Sequence, residues 1–237
     1  MKKLITFLLV IMMVFSLVAC GDNETPYPSA TDNSGVSSTK STEDTSGSQG
    51  NNDSDKVTKD SLNNASVAPV TDFFLTDDGT GNLKIMEYEG NDTILVIPDE
   101  SGGKKITSNV RYIFANDSKV VAIKFPAYLV EIEESTCGLN TSLQVVVLGS
   151  GTKTIKTAAF QGCSSLYDVS LNEGLETIGK FAFAQCENLK SITIPESVQT
   201  IDANAFYGHV DGFVIYGEAG SVAETFADTA GIEFKAK

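Results

Sequence analysis

Leu189-Lys190-Ser191-Ile192-Thr193-Ile194-Pro195, followed by Val198, Ile201, Ala205 and Phe206, is the stretch whose reading decides the fold. Ile192 and Ile194 alternate with Ser191 and Thr193, so one pair faces a core and the other faces solvent. Pro195 has no backbone donor and ends the strand. Val198 and Ile201, three apart, turn inward again at the next bend. Ala205 and Phe206 are expected to open a short helical turn that plugs the interior. The same pattern returns at a fixed step along the chain. Ile132, Ile155, Ile178 and Ile201 form one evenly spaced column. Phe114, Phe160, Phe183 and Phe206 fall on a second, and Val120, Leu143, Leu166 and Leu189 on a third. Ile123, Val146, Val169 and Ile192 make a fourth, and Phe125, Leu148, Leu171 and Ile194 a fifth.

Self-similarity at a short fixed period is the mark of a solenoid, in which no coil can bury its apolar side alone. The spacing L-x-x-I-x-I is the strand signature of leucine-rich repeats. With P-x-x-V-x-x-I-x-x-x-A-F-x-x-C after it, the unit resembles the BspA-type leucine-rich repeat, over about residues 83–217. Cys163 and Cys186 occupy the cysteine slot. Cys137 stands where phenylalanine is expected, Asn109 in an isoleucine slot, Asn140 and His209 in cysteine slots, and Gly212 in a leucine slot. The resemblance implies a surface or secreted protein, some relatives being linked to adhesion or host-protein binding. The expected fold is a repeat solenoid, a β-rich leucine-rich-repeat stack of about five coils of about 23 residues.

The ends of such a stack must be covered. On the N-terminal side, Phe73-Phe74-Leu75, the turn Asp77–Asn82, then Leu83, Ile85, Met86 and Tyr88, and Thr93 to Ile97, read as a β-meander cap. On the C-terminal side, Ser221-Val222-Ala223-Glu224 is a capping box. Val222, Phe226 and Ala230 recur at helical spacing with Ala223 and Ala227 beside them, Gly231 is a helix stop, and Ile232 and Phe234 alternate as a closing strand.

The first residues follow another logic. Lys2 and Lys3 precede an apolar run, Leu4 to Val18, too short for a span of roughly 20 residues. It ends in Leu17-Val18-Ala19-Cys20, which resembles the bacterial lipobox. That resemblance implies cleavage before Cys20 and a diacylglycerol on its thiol. Residues 21 to about 66 are dominated by Ser, Thr, Asn, Asp and Gly, with Val36, Val57 and Leu62 isolated. Such a segment is expected to stay disordered, as a tether of roughly 35–40 Å r.m.s.. The expected parts are a signal peptide, 1–19; a lipidated tether, 20–69; an N-terminal β cap, 70–98; repeats, 99–217; and a C-terminal cap, 218–237.

Net charge is −14, and −16 once Lys2 and Lys3 are removed. That balance opposes nucleic acid, which selects clustered cations. The single histidine, His209, lies in a repeat column, so a structural role is expected. No serine sits in a G-x-S-x-G elbow. Gly149-Ser150-Gly151 is read as a tight corner. Asp77 and Asp78 carry the carboxylates of a cation loop but not EF-hand spacing. Cys163 and Cys186, in equivalent slots, are within disulfide reach if stacked, though buried thiols are the simpler reading. Glu131, Glu133 and Glu134 are expected to point outward. Neither catalysis, a cofactor nor a metal is expected.

What remains is the outward strand face. Ala122, Val145, Asp168 and Ser191 form one row, and Lys124, Val147, Ser170 and Thr193 the next, flanked by Gln144, Tyr167 and Lys190. Val145 and Val147 are apolar where solvent is expected, which marks a contact site or β-propensity alone. The expectation is a monomer held to the membrane by its N-terminal diacylglycerol on the outer face of the cell. Its strand face would meet a host or envelope protein or glycan. The rival readings are an envelope spacer with no dedicated ligand, a solute-binding lipoprotein, which needs a larger body with a cleft, and a hydrolase.

Overall fold

The computed structural model describes residues 56–237. The signal peptide, Cys20 and the tether up to residue 55 lie outside the described residues. The repeat columns become parallel ladders. One ladder runs through β3 (Ile94–Val96), β6 (Ala122–Lys124), β8 (Val145–Val147) and β10 (Asp168–Ser170). A second runs through β7 (Glu131–Ile132), β9 (Thr154–Ile155), β11 (Thr177–Ile178) and β13 (Thr200–Ile201). Registers are strict: Ile132, Ile155, Ile178 and Ile201 pair in sequence order. Beyond β10 come β12 (Ser191–Thr193), β14 (Val214–Gly217) and β15 (Glu233–Ala236), a further parallel sheet.

The interior is what the columns predict. Ile132, Ile155 and Ile178 are fully buried, as are Leu143 and Leu166. Each such side chain contributes about 1.5–3 kcal/mol on leaving water. Phe160 stacks on Phe183 at 5.3 Å and Phe183 on Phe206 at 5.6 Å, both 10° from parallel. Cys137 is too small to continue that stack, and the Phe125 ring leans in instead, edge-on to Phe160 at 6.3 Å. Polar residues within the columns are bonded to backbone or to each other, although Asn109 Oδ1 and Asn140 Nδ2 have no partner among the described residues. Thr152 Oγ1 donates to Leu129 O at 3.0 Å in the coil before, and Asn109 Nδ2 donates to Thr136 Oγ1 at 3.0 Å. Asn140 Oδ1 accepts from the Ser142 and Leu143 amides, which closes the turn its column requires.

The third side of the coils before Ala205-Phe206 is not the helical turn expected there but a turn with two left-handed residues. The turn at Ala205-Phe206 itself has one, Gly208, and carries i→i−3 bonds from Ala205 N–H to Asp202 O and from Tyr207 N–H to Asn204 O. Tyr112, Ser135, Ala158 and Phe181 have positive φ, and so do Asn116, Leu139, Gly162, Gln185 and Gly208. Both sets recur at the step of the apolar columns. Left-handed residues break i→i−4 bonding, so the amides turn to the next coil: Cys137 N–H to Ala159 O, Phe160 to Ala182 O, and Phe183 to Ala205 O. Gly149 is needed for a different reason than corner geometry. A Cβ there would lie 1.8 Å from Pro126 O in the coil beneath.

The N-terminal cap is smaller than a three-strand meander. β1 (Phe73–Asp77) and β2 (Leu83–Tyr88) form an antiparallel hairpin. Ile94–Val96 is the first rung of the ladder, so the repeats begin before residue 99. β2 pairs in parallel with β5 (Lys104–Asn109), which β4 (Glu100–Ser101) flanks. The first step of the ladder, Ile94 to Ala122, uses more chain than the next, Ala122 to Val145. The β4–β5 hairpin takes up the excess.

The tether boundary at 69 also moves. Residues 59–64 form a short helix, α1 (Lys59–Asn64), capped reciprocally by Thr58 and Ser61. Leu62 is 1 % exposed, lying with Val96, Ala122 and Val145, and partly covered Val57, Ile94, Val147 and Tyr167 surround it. Its isolated place in the sequence hid an apolar partner surface far along the chain. At the other end, α2 (Val222–Ala230) has Ser221 as N-cap and Gly231 as left-handed C-cap. Glu224 bonds the Gly220 amide rather than that of Ser221. Ala223 and Ala227 are its buried residues, while Val222 is 37 % exposed. The helix lies so close to Gly217 that only small side chains fit between: a Cβ there would be 3.3 Å from that of Ala223. Glu233 and Lys235 pair at 3.2 Å on the last strand.

Phe160→Ala is expected to cost about 3–5 kcal/mol in urea denaturation, since Phe183, stacked on one side, and Phe125, edge-on at the other, cannot collapse into the gap. Gly149→Ala, which forces the coils apart, is expected to cost about 1–3 kcal/mol. Lys190→Ala, on the surface, should change stability by no more than about 0.5 kcal/mol.

Candidate functional site

Parallel pairing sets the outward rows. Ile94, Ala122, Val145 and Asp168 are in register, as are Val96, Lys124, Val147 and Ser170. The structure thus brings Lys124, Val145, Val147, Asp168 and Ser170 onto one surface, with Gln144 and Tyr167 at its margin. Ser191 and Thr193 belong to another. They are in register with Val214 and Tyr216, and through them with Glu233 and Lys235. Between β10 and β12 the two surfaces adjoin without a strand pairing among the described residues. Val169, beside that seam, is 8 % exposed, whereas Ile123 and Val146 in its column are fully buried.

The first surface is occupied. Val145 and Ala122 face outward on the ladder yet are fully buried, because Leu62 lies over them. Lys59 reaches Asp168 at 3.3 Å, and the Tyr167 hydroxyl donates to Val57 O. The Lys56 ammonium sits 4.3 Å from the Tyr167 ring centre, a cation–π contact. Burial and the neighbouring Asp168 carboxylate both raise the Tyr167 phenol pKa, keeping it a donor. A cleft of about 480 Å³ opens where this segment meets Tyr167 and Asp168. The outward valines thus mark a contact, and the contact is the chain's own residues 57–65.

The second surface is open. Lys190 and Ser191 are exposed, and Thr193 and Tyr216 are half-buried. Tyr216 and Lys235 are absent from the rows read in the sequence. Tyr216 lies one repeat beyond Thr193 and extends that row by a step; Lys235 comes after the α2 crossover, which breaks the period.

Other candidate chemistry is consumed by structure. Asp78 Oδ1 accepts from Thr80 N–H and Oγ1 at 2.7 Å, and its other oxygen from the Thr107 hydroxyl. Those bonds, the Thr107 hydroxyl first, lower the Asp78 pKa to about 2. Asp77 accepts from Gly79 N–H and pairs with Lys104 at 3.3 Å. Among the described residues no three His, Cys, Asp or Glu side chains group as metal ligands. Of the acidic trio, Glu131 and Glu133 converge on Lys156 at 2.7 and 2.8 Å, and Glu134 pairs with Arg111 at 3.2 Å. Cys137, Cys163 and Cys186 are free and buried. The Cys163 and Cys186 thiols donate to Cys137 O and Phe160 O at 3.2 and 3.3 Å, so each ties its coil to the one before. Burial raises all three pKa values, that of Cys186 to about 12. His209 is exposed and stacks on Phe213 at 5.6 Å.

The profile of the BspA type leucine rich repeat region matches residues 96–211, in six copies. The fold is similar to that of a leucine-rich-repeat protein of T. pallidum, at 22% identity over 64% of this chain and 71% of that one, with a TM-score of 0.59. A leucine-rich-repeat protein of Bacteroides ovatus shares 25% identity over 60% of this chain and 37% of its own, at a TM-score of 0.49. A leucine-rich cell surface protein of Faecalibacterium prausnitzii shares 20% identity over 65% of this chain and 55% of its own, at 0.43. This chain thus spans 37% and 55% of the last two proteins. No curated protein matches the sequence.

The thiols should resist a soluble disulfide reagent in the native protein and all react once guanidinium unfolds it, because thiolate formation requires exposure. Asp78 gives a pH prediction. Its folded pKa is about 2, below the unfolded value, so the turn's stabilisation is complete above about pH 4 and lost as pH falls towards 2. Carboxyl NMR titration should show Asp78 ionised at pH 3, and Asp78→Asn should remove the acid-dependent part of hairpin melting.

Proposed function

We propose that this chain, which carries a BspA type leucine-rich-repeat region over residues 96–211, is a non-catalytic docking protein of the outer cell surface, anchored through a lipidated Cys20. The observation that carries the docking half is the split strand face. Its upstream half is covered by the chain itself, and its downstream half, Lys190, Ser191, Thr193, Tyr216 and Lys235, is left uncovered in one register-locked patch. The solenoid supports surface recognition rather than catalysis, because its interior is filled by packed columns. Lys190, two hydroxyls and a tyrosine, beside the Glu233–Lys235 ion pair, suit a polar partner rich in hydroxyls, a protein or a glycan. Aromatic and hydroxyl side chains suit that use, since they add contact area at small entropic cost.

The anchoring half rests on the sequence Leu17-Val18-Ala19-Cys20 after its apolar run. Two acyl chains hold a protein stably where one is marginal. Among the described residues no helix is long and apolar enough to cross a membrane. The stretch between Cys20 and Lys56 has length enough to hold the solenoid clear of the bilayer. The rival reading, a spacer with no ligand of its own, makes the same anchor prediction and differs only at the open patch.

Two experiments separate these claims. Cys20→Ser should abolish labelling by radioactive palmitate and shift the protein from the detergent phase to the aqueous phase. Lys190→Glu with Thr193→Asp should lower binding to any ligand captured from host matrix proteins or wall polysaccharide at least tenfold, with unchanged thermal unfolding. Full retention of such binding by the double variant would rule the open patch out. If the wild type captures neither class of ligand, the spacer reading stands.

A further inference from the structure

The segment that covers the upstream half of the ladder is held unlike any other part of the stack. Coils are tied to each other by backbone hydrogen bonds, the strand face between β10 and β12 excepted. Among the described residues, no backbone–backbone hydrogen bond joins Lys59–Asn64 to the strands beneath it. The segment is attached by side chains, Leu62 on Val96, Ala122 and Val145, Lys59 on Asp168, Lys56 on the Tyr167 ring, and the Tyr167 hydroxyl on Val57 O; the chain just after it is pinned by backbone, where Ala68 N–H donates to Val96 O at 2.9 Å. Its helix has six residues, well under the length at which a helix stands alone. Without backbone bonds to the ladder, it has the character of a segment that opens locally, held chiefly by Leu62.

The surface under it is complete without it. Val145 and Ala122 sit on strands whose inner neighbours, Val146 and Ile123, are locked in the core column and whose backbone is paired on both sides. The outward residues of β3, β6 and β8 are Ile94, Val96, Ala122, Lys124, Val145 and Val147, apolar but for one. At β10 and β12 the same rows become Asp168, Ser170, Ser191 and Thr193. The apolar surface stops where the segment stops, and the acid at its margin meets a lysine of the segment. The face is thus built for a short strip of side chains: a leucine for the valine floor, a lysine three positions earlier for the carboxylate, and a lysine before that for the tyrosine ring.

We propose that the outward face of β3, β6 and β8, with Tyr167 and Asp168 at its edge, is a docking surface for a short amphipathic peptide segment of this lysine-and-leucine pattern. Residues 56–65 occupy it in cis and shield it. A partner segment of the same chemistry competes for it when they lift away. This is independent of what the open downstream patch binds and of the anchor at Cys20.

The probe is a fluorescein-labelled synthetic peptide of residues 56–66, titrated by anisotropy into three forms of the full chain. The forms are wild type, Leu62→Asp, and Leu62→Asp with Val145→Asp. The expected result is binding to Leu62→Asp at least tenfold tighter than to wild type, and at least tenfold weaker again in the double variant. Equal binding to all three, or none to a Leu62→Asp chain that unfolds at the wild-type temperature, would overturn the proposal. So would failure of Leu62→Asp to fold, since the segment would then be part of the core. Hydrogen exchange of the wild type gives a second reading. Amides of Ser61 to Ala65 should exchange at least a hundredfold faster than those of Val146 and Ile155; equal protection means the segment does not lift and the idea fails.

Discussion

Everything in this molecule depends on the contact between one coil and the next. A single turn of the solenoid has an apolar inside and nothing of its own to put there. Burial comes from the neighbours: Ile155 lies between Ile132 and Ile178, and Phe183 between Phe160 and Phe206. The ladders on each side hold the coil spacing at which those side chains touch. The two effects cannot be separated, because strand registers place the columns and the columns keep the strands in register.

The columns explain why the architecture is legible in the sequence. Ile, Leu and Phe at a fixed step report an inside directly, and all five columns pack into it. Other features leave no such trace. Ala205-Phe206 suggests a helical third side of the coil, yet left-handed residues there include Tyr112, Ala158, Phe181 and Gln185. Only glycine advertises that conformation, and glycine holds just two of these sites, at 162 and 208. The apolar face of the final helix, Val222, Ala223, Phe226, Ala227 and Ala230, is legible, but its centre is not. Close approach to Gly217 puts Ala223 and Ala227 innermost, Phe226 packs on Phe206 at the edge, and Val222 is exposed, so size decides where apolarity does not.

The candidate site is half legible for a related reason. Val145 and Val147 stand out because their rows turn outward, and what lies over them is the chain's own Leu62 and Val57. What covers them cannot be read from pattern, since Val57 and Leu62 follow no period and lie among polar neighbours. Val57 meets Tyr167 and Leu62 meets Val145 across separations that neither helical nor strand spacing can encode. Thr193 gives Tyr216 by one more step of the same period, so that part of the open patch is within reach.

A ladder of parallel strands has no natural last rung. Each new strand leaves an edge like the one it covered, and a naked edge would accept the first strand of another molecule, growing a filament. Here the chain crosses over through a helix and lays down β15, on which Glu233 and Lys235 pair at 3.2 Å. An incoming strand would have to strip water from both charges, which disfavours its addition.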